Sequence, residues 1–450
     1  MSLRILLVRH GLSSFNLEHR IQGRDDLSSL TDTGLEQARA TGAALRDLPI
    51  QAAYSSPLRR ARDTAITLLE AHGGGLNPQL DDDLLEVDLA PWSGLLASEV
   101  RERFPSEHRI WRHHPEQLQL QRPDGSSYAP IPELMEQAHR FAERLLRAHD
   151  PAAAGGQTVL VVGHNAILRC LLLVLLGLPA SGFRRLRVDN ASLSVLNLTP
   201  EPGRGLVVQI ESLNGTSHLH PQVCAGDLPA KGPGPRLLLV RHGETDWNRQ
   251  GRFQGQIDIP LNPNGHAQAA AAGDFLRRVR FNRAYTSSMA RPRQTAEGIL
   301  RHHPGVPLTS VSDLVEIGHG QWEGRLEQEI AADWGALLAD WKRAPETVQM
   351  PDGETIHDVW DRSLRGWQRI AASLDDHETA LVVAHDAVNK TILCALLGLS
   401  PADIWAVKQG NGGVTVIDYP HGADQPPVVV CLNQTAHLGG VLDRTAAGAL

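Results

Sequence analysis

The sequence predicts an α/β fold built as two tandem three-layer αβα domains, each with a mainly parallel central sheet. Three observations lead to this prediction. The chain has 450 residues, more than a single hydrophobic core usually organises. Its second half repeats its first half. Within each copy, short aliphatic runs of strand length alternate with segments of helical period, which is typical of a sheet covered on both faces.

The internal repeat is the strongest of these observations. Five blocks of the first half recur in the second half in the same order, at a spacing of roughly 200 residues or more, which is too long for a solenoid and indicates a duplicated domain. The paired blocks are Ile5–Gly11 with Leu237–Gly243, Tyr54–Ala65 with Tyr285–Ala296, Leu84–Gly94 with Leu314–Gly324, Leu160–His164 with Leu381–His385, and Leu213–Leu219 with Leu432–Leu438.

The domain limits follow from this repeat and from one segment without apolar periodicity. Residues 220–236 are rich in proline and glycine, as expected for a linker. We therefore expect a first domain over residues 1–220, a linker over 221–235, a second domain over 236–440 and a loose tail over 441–450.

The strands and helices can be placed coarsely from their periodicity. Buried, largely parallel strands are expected at Ile5–Val8, Val159–Val162 and Leu193–Leu198. Helices are expected at Thr33–Leu48, Arg60–Ala71, Asn264–Val279 and Arg291–Arg301. The apolar stretch Cys170–Ala180 is expected to be a buried helix, because it is shorter than the ~18 residues that a membrane span needs. Sheets of this kind bind ligands at the carboxyl ends of their strands, where the repeated histidines lie.

Composition excludes several classes of protein. Hydrophobic residues make up 42% of the chain and charged residues 21%, which is typical of a globular protein and not of a disordered one. The net charge of −8 argues against nucleic-acid binding, although it permits a local cationic pocket for a small anion. Four cysteines without a C-x-x-C pair favour the reducing cytoplasm, and no signal peptide or membrane segment is expected.

Each repeat opens with a strand that ends in Arg-His-Gly, at Arg9–Gly11 and at Arg241–Gly243. Such an end delivers a guanidinium group and an imidazole to the edge of the sheet, and the glycine is expected to allow a turn and the close approach of a ligand. A single such tripeptide arises by chance. Two copies in equivalent places favour a function.

Two arginines, Arg60 and Arg291, lie near the expected start of a helix in each copy. A helix N-terminus offers a phosphate group backbone donors, the helix dipole and a guanidinium fork together. The residues expected to cap these helices are Ser55, Ser56, Ser287 and Ser288.

A second histidine and a glutamate complete the set in each copy. His164 and His385 follow later strands, whereas Glu86 and Glu316 precede a Trp-x-Gly corner, where a carboxyl group could keep a raised pKa. A structural histidine and a surface glutamate are the ordinary alternatives. Together, two histidines, two arginines and a carboxyl group without a metal-binding pattern suggest phosphoryl transfer: one neutral histidine attacks, the other donates a hydrogen bond and the carboxyl group protonates the leaving oxygen.

These motifs resemble the histidine phosphatase superfamily, also called phosphoglycerate-mutase-like, and the second copy is the closer match. The resemblance implies that His242 is the nucleophile and Glu316 the acid, and it adds pocket residues. In the second copy the implied set is Arg241, His242, Asn248, Gln254, Gly255, Arg291, Glu316 and His385. In the first copy it is Arg9, His10, Asn16, Gln22, Gly23, Arg60, Glu86 and His164. No metal or cofactor is expected.

The expected function is the hydrolysis of small phosphorylated metabolites through a phosphohistidine. A cofactor-dependent phosphoglycerate mutase is the first alternative. It is disfavoured because family mutases resemble G-W-x-D where this chain has Gly255–Asp258, and because they carry a longer insert after the acidic residue. A binding or regulatory protein with one or both sites inactive is the second. The expected partner is a small phosphorylated metabolite, with no nucleic acid, no membrane and no predicted oligomeric state.

Overall fold

The computed structural model describes residues 3–153, 155–201, 203–219 and 228–445. The chain forms two compact units, one made of Met1–Pro200 with Asn214–Leu219 and the other of Glu201–Leu213 with His220–Leu450. Residues 221–227 of the expected linker and 446–450 of the expected tail lie outside the described residues. The domain limits stay a prediction.

The first half of the chain alternates strands with helices, as its aliphatic runs and helical periods predict. Its strands are β1 Leu3–Arg9, β2 Ala52–Ser55, β3 Gln79–Leu80, β4 Leu120–Gln121, β5 Ser127–Tyr128, β6 Gln157–Gly163, β7 Leu193–Glu201 and β8 Gly205–Gly215. Its helices are α1 Ser14–Leu17, α2 Asp32–Ala44, α3 Arg59–His72, α4 Ala97–Arg103, α5 Pro105–His113, α6 Pro130–Ala148 and α7 Asn165–Leu175.

The central sheet of the first unit has the order β7-β1-β6-β2-β3. Strands β1, β6, β2 and β3 run parallel, so their carboxyl ends meet at one edge. Strand β7 pairs antiparallel with β1, which corrects the expectation that Leu193–Leu198 belongs to the parallel set. The chain passes from β6 through α7 and the 3-10 helix Ala180–Arg185 before it enters β7, which then pairs with the outer side of β1.

The second half has the same organisation. Its strands are β9 Arg236–Arg241, β10 Arg283–Thr286, β11 Leu308–Ser310, β12 Thr379–Ala384, β13 Val414–Asp418 and β14 Val428–Gln434. Its helices are α8 Asp246–Gln250, α9 Pro263–Leu276, α10 Ala290–Leu300, α11 Glu327–Arg343, α12 Ile356–Ala372 and α13 Asp386–Leu397. In the sheet of this unit, β11, β10, β12 and β9 run parallel, and β13 and β14 continue it in antiparallel pairing.

The central strands owe their place to burial. Residues Val159–Val162 of β6 and Leu237–Val240 of β9 are fully buried, as expected for strands covered on both faces. These observations confirm an α/β fold with a large, mainly parallel sheet. Helix α7 ends at Leu175, so the expected buried helix over Cys170–Ala180 is wrong in its second part, where Gly177 adopts a positive φ of 67° and the chain turns.

Two other features bear on the expectations for the chain. Among the described residues, no helix is both long and apolar enough to cross a bilayer. The described part of the tail is not loose: the backbone N–H of Asp443 donates to Glu211 at 3.0 Å, and its carboxylate lies 3.4 Å from the Lys408 ammonium group. These contacts tie the end of the described chain to the second unit.

Candidate active sites

The Arg-His-Gly segments lie where the sequence places them, at the carboxyl ends of β1 and β9. The glycine has a different reason from the expected one. A Cβ atom on Gly11 would lie 2.4 Å from the carbonyl oxygen of Gly34, and one on Gly243 would lie 2.4 Å from that of Gly265. The glycine therefore makes room for the start of the next helix rather than for a ligand.

The histidine after each strand is buried and held in one orientation. Nδ1 of His10 lies 2.8 Å from the carbonyl oxygen of Gly11, and Nδ1 of His242 lies 2.7 Å from that of Gly243. Because a carbonyl can only accept, Nδ1 carries the proton and Nε2 keeps its lone pair. Burial and the neighbouring arginines hold the pKa of both histidines well below its usual value, so both rings are neutral.

The second histidine of each site faces the first. The ring centroids of His10 and His164 are 5.2 Å apart, and those of His242 and His385 are 5.3 Å apart. Both partner rings are fully buried, and burial together with the nearby arginines lowers the pKa of each well below its usual value.

Two of the four serines expected to cap the helices, Ser56 and Ser287, orient these second histidines instead. The Ser56 hydroxyl lies 2.8 Å from Nε2 of His164, and the Ser287 hydroxyl lies 2.9 Å from Nε2 of His385. Leu58 and Met289 occupy the N-cap positions of α3 and α10 without a side-chain hydrogen bond, which corrects the expected caps. Nδ1 of both second histidines has no hydrogen-bond partner in the described chain.

Arg60 and Arg291 are completely buried at the starts of α3 and α10. The terminal nitrogens of Arg60 donate to the carbonyl oxygens of Gly23 and Asp25, both at 2.8 Å. One terminal nitrogen of Arg291 donates to Gly255 at 2.7 Å, and its Nε lies 3.3 Å from Nε2 of His242. The loops that carry the predicted glycines therefore hold each guanidinium group beside its histidine.

Arg9 and Arg241 are held in a similar way from the other side. A terminal nitrogen of Arg9 donates to the carbonyl oxygen of Val188 at 2.9 Å, and one of Arg241 donates to that of Gln409. The Nε groups of Arg9, Arg60 and Arg241 are buried without a partner in the described chain. Buried donors without partners are costly, by about 1–3 kcal/mol each, so an anion that accepts from them would be bound favourably.

The two glutamates are buried rather than on the surface. Glu86 is 9% exposed and Glu316 2% exposed. The Glu86 carboxylate accepts from the backbone N–H groups of Ala166 and Ile167 at 3.1 and 3.2 Å, in the first turn of α7. Glu316 makes the equivalent contact with Asp386 in α13, at 3.0 Å. Burial and the charge of Asp386 raise the pKa of Glu316.

The remaining pocket residues of the resemblance lie beside these groups. The hydroxyl of Thr245 donates to the side-chain oxygen of Gln254 at 2.8 Å, which leaves the buried Nε2 of Gln254 without a partner in the described chain. A cavity of about 270 Å³ in the first unit is lined by every predicted residue of that half except His164. The structure thus brings each predicted set together.

Two asparagines in these sites escaped the sequence analysis. Nδ2 of Asn411 donates to the carbonyl oxygen of His242 at 3.1 Å, and Nδ2 of Asn190 donates to that of His10 at 3.0 Å. Each side chain connects the histidine backbone to the segment that follows α7 in the first half or α13 in the second. The signal was present, because both asparagines stand at equivalent places in the two repeats, between the fourth and fifth matched blocks.

Glu354 forms an ion pair with Arg362 at 2.8 Å and accepts from the backbone N–H of Gly318 at 2.8 Å. It therefore holds the loop that follows Glu316. No group of three or more His, Cys, Asp or Glu side chains placed to hold a metal ion occurs among the described residues.

Known proteins resemble both halves of the chain in sequence. A model of the histidine phosphatase superfamily (branch 1) matches residues 5–210 and 237–434. A 2-carboxy-D-arabinitol-1-phosphatase of Triticum aestivum is 31% identical over 450 residues, which cover 97% of this chain and 86% of the relative. Phosphoserine phosphatase 1 of Hydrogenobacter thermophilus is 30% identical over 204 residues, covering 45% of this chain and 94% of the relative.

Among solved structures, Bacillus stearothermophilus YhfR is 32% identical, covers 45% of this chain and 99% of its own, and superposes with a TM-score of 0.43. The family model matches both repeats and most of the chain, and the wheat relative aligns along nearly all of it. The chain therefore belongs to the histidine phosphatase superfamily, as a tandem duplication of its domain.

Proposed function

We propose that each half of this protein hydrolyses the phosphate monoester of a small metabolite through a phosphohistidine, formed on His10 in the first half and on His242 in the second. At the level of enzyme class, family membership and phosphatase-named relatives confirm the expected phosphohydrolase. The covalent intermediate and the roles of individual residues are the proposal.

One observation carries the proposal: a neutral, oriented nucleophile occurs in the same setting in both halves. Nδ1 of His242 is fixed by a backbone carbonyl, so the lone pair lies on Nε2, where it accepts from the Nε of Arg291 until a phosphoryl group takes that place. The Nε of Arg291, 3.3 Å from this nitrogen, lies where a transferring phosphoryl group needs positive charge.

The phosphate oxygens are held by donors that lack partners within the protein. Arg241 and Gln254 each present a buried nitrogen without a partner in the described chain, and so does Nδ1 of His385. If the Ser287 hydroxyl donates to Nε2 of His385, Nδ1 carries a proton that can bind a phosphoryl oxygen. This arrangement positions the group and neutralises its charge, which is most of what phosphoryl transfer requires.

In the first step, Nε2 of His242 forms a bond to phosphorus while the ester P–O bond breaks, and Glu316 gives its proton to the leaving oxygen. In the second step, a water oxygen attacks phosphorus, the Nε2–P bond breaks and the Glu316 carboxylate takes a proton from the water. The raised pKa of Glu316 suits both roles, because the group must be protonated in the first step and ionised in the second. His10 and Glu86 would act in the same way in the first half.

The proposed substrate is a small phosphorylated metabolite. The cavity of about 270 Å³ in the first unit is of small-molecule size. Relatives named for 2-carboxy-D-arabinitol 1-phosphate and for phosphoserine support the same class. A cytoplasmic location is part of the proposal, supported by the buried free thiols of Cys170 and Cys394.

The test is phosphate release from a panel of phosphomonoesters without added metal, for the wild type, His10→Ala, His242→Ala and the double variant. We expect each single variant to keep the activity of the other half and the double variant to lose nearly all of it. Acid-labile ³²P-labelling at the two histidines would support the intermediate.

The alternatives predict other results. Conversion of 3-phosphoglycerate to 2-phosphoglycerate only in the presence of a bisphosphate primer would identify a mutase. Phosphate-analogue binding without turnover on the whole panel would identify a binding protein. Loss of all activity in either single variant would contradict two independent sites.

A further inference from the structure

The cavity of the first unit carries more positive charge than a single phosphate group needs. Its lining residues include five arginines and one carboxylate, namely Arg9, Arg20, Arg60, Arg169, Arg184 and Glu86. Arg9 and Arg60 belong to the proposed phosphate site, and Arg20 is paired with Glu18 at 2.7 Å. Arg169 and Arg184 remain without an assigned role.

Arg169 lies one helical turn after Asn165 in α7, so it extends from the same face of the helix that carries the site. Its Nε is buried and has no hydrogen-bond partner in the described chain, and its guanidinium carbon lies 5.1 Å from the ring centre of Phe183. Burial lowers the pKa of Arg169 to about 9, and the like charges of Arg184 and Arg9 add to this shift.

Arg184, in the 3-10 helix Ala180–Arg185, is held against two aromatic rings. It donates to the carbonyl oxygen of Trp111, and its guanidinium carbon lies 5.1 Å from the Trp111 ring centre and 5.6 Å from that of Phe183. Its Nε is also buried without a partner in the described chain. Both arginines therefore line the cavity, and each keeps a buried Nε without a partner in the described chain.

The second unit neutralises the same region from within. Asp386 stands where the first repeat has Asn165, and its carboxylate lies 2.9 Å from the Lys390 ammonium group and 3.6 Å from Arg241. Lys390 corresponds to Arg169 of the first repeat, and Trp405 corresponds to Arg184. The Lys390 ammonium group lies 5.0 Å from the ring centre of Trp405.

Two more carboxylates separate the repeats. Glu323 and Glu354 near the second site correspond to Ser93 and Ser126 in the first copy. Glu323 contributes to the electrostatic surroundings of Arg291, so its replacement by Ser93 acts on the phosphate site itself, whereas the charge of Glu354 is paired with Arg362. The first site thus gains one cation, Arg184 in the place of Trp405, and lacks the carboxylate of Glu323; its own Asp189, in the place of Gly410, acts on Arg9 and Arg169.

We propose that the first-half site takes phosphomonoesters that carry a second anionic group, held by Arg169 and Arg184, whereas the second-half site lacks this requirement. This inference rests on the proposed function for the identity of the phosphate subsite. The second group would pair with the guanidinium groups of Arg169 and Arg184, two residues that line the cavity. A carboxylate or a second phosphate has the required chemistry.

The test compares two ligands that differ only in that group. The full chain carrying His10→Ala and His242→Ala is titrated by calorimetry with 3-phosphoglycerate and with glycerol 3-phosphate, in which a hydroxymethyl group replaces the carboxylate. We expect a site that prefers 3-phosphoglycerate by about tenfold or more, since a charged hydrogen-bonded pair is worth at least that factor. Arg169→Gln should bring the ratio of the two dissociation constants close to one.

Two further variants guard this result. Arg169→Lys keeps the charge and should keep most of the preference, which separates a lost ligand contact from a misfolded pocket. Arg147→Gln removes the same charge from the exposed side of α6, where Arg147 pairs with Glu143, and should leave the ratio unchanged.

A ratio near one in the parent chain, or a ratio that survives Arg169→Gln, overturns the inference. A clear preference in binding, combined with no hydrolysis of any phosphomonoester by the His242→Ala chain, supports the anion subsite and refutes the proposed function of the first half.

Discussion

Replacing Glu316 by Gln separates its proposed chemistry from its structural contacts. The carboxylate accepts from the backbone N–H of Ile317 and Asp386, each at 3.0 Å, and from that of Ala387 at 3.4 Å. Its two oxygens share these contacts, whereas glutamine has a single oxygen acceptor. One amide N–H pair must then face a backbone donor, so we expect the free energy of unfolding to fall by about 1–3 kcal/mol.

The catalytic effect should be larger and should depend on the leaving group. In the His10→Ala chain, where only the second half turns over, Glu316→Gln should reduce kcat/KM for an alkyl phosphate by about 10²–10⁴-fold, the usual contribution of a general acid. For p-nitrophenyl phosphate we expect a loss below about tenfold, because nitrophenolate leaves without a proton. Equal losses on both substrates would refute the assignment and leave Glu316 as an anchor of α13.

The pH profile provides a second measurement for the same residue. Burial and Asp386 raise the pKa of Glu316, so the protonated acid persists to higher pH than an ordinary glutamic acid. Hydrolysis of the alkyl phosphate should therefore decline on the alkaline side at a correspondingly higher pH. Asp386→Asn removes a negative charge and should move this decline to lower pH. A shift to higher pH would contradict the electrostatic argument.

Three other perturbations test the structure around the second site. Gly243→Ala places a Cβ atom 2.4 Å from a carbonyl oxygen and should lower the free energy of unfolding by about 1–3 kcal/mol, whereas Gly335→Ala, with no atom within 4 Å, should be neutral or stabilising in a urea titration. Ser287→Ala removes the 2.9 Å contact that orients His385 and should lower kcat in the His10→Ala chain by about tenfold with less effect on p-nitrophenyl phosphate binding; an unchanged kcat would count against that role. His319 is fully buried with its pKa lowered to about 3, so unfolded chains bind its proton first as the pH falls below 6.5. Between pH 7 and pH 5 the wild type should therefore lose about 2 kcal/mol more stability than His319→Leu, at about 1.4 kcal/mol per pH unit, and equal losses would disprove this contribution.

Much of the fold was accessible from the sequence because its signals are local. The aliphatic runs that became β1 and β6 are continuous and bounded by polar residues, so both strand type and burial follow from them. The direction of β7 was not accessible, since an antiparallel strand buried on both faces has the same composition as a parallel one. Only the pairing partner distinguishes the two, and pairing is a long-range property.

The candidate sites divide in a similar way. Arg9 and His10 could be predicted as site residues, because arginine and histidine have few structural uses at the end of a strand and both recur in the second repeat. The role of Ser56 did not, because a serine before a helix is far more often a cap than a partner of a histidine about a hundred residues away along the chain. That contact exists only because β2 and β6 are neighbours in the sheet.

The two pockets show why the repeat alone could not assign equal functions. Aligned motifs report what the copies share, and they share the groups that would act on phosphorus. The specificity that we propose lies in positions outside those motifs, where Asn165 and Arg169 of the first half correspond to Asp386 and Lys390 of the second. The sequence gives no sign of this difference, because each of these residues is ordinary on a helix. In the structure, Asp386 and Lys390 neutralise each other at 2.9 Å. Arg169, by contrast, lines a cavity, and its buried Nε has no partner in the described chain. A duplicated enzyme can keep the same chemistry in both halves while each half prefers different substrates. A change in the charge around the phosphate site is sufficient for this, since it alters few residues and leaves the reacting groups unchanged.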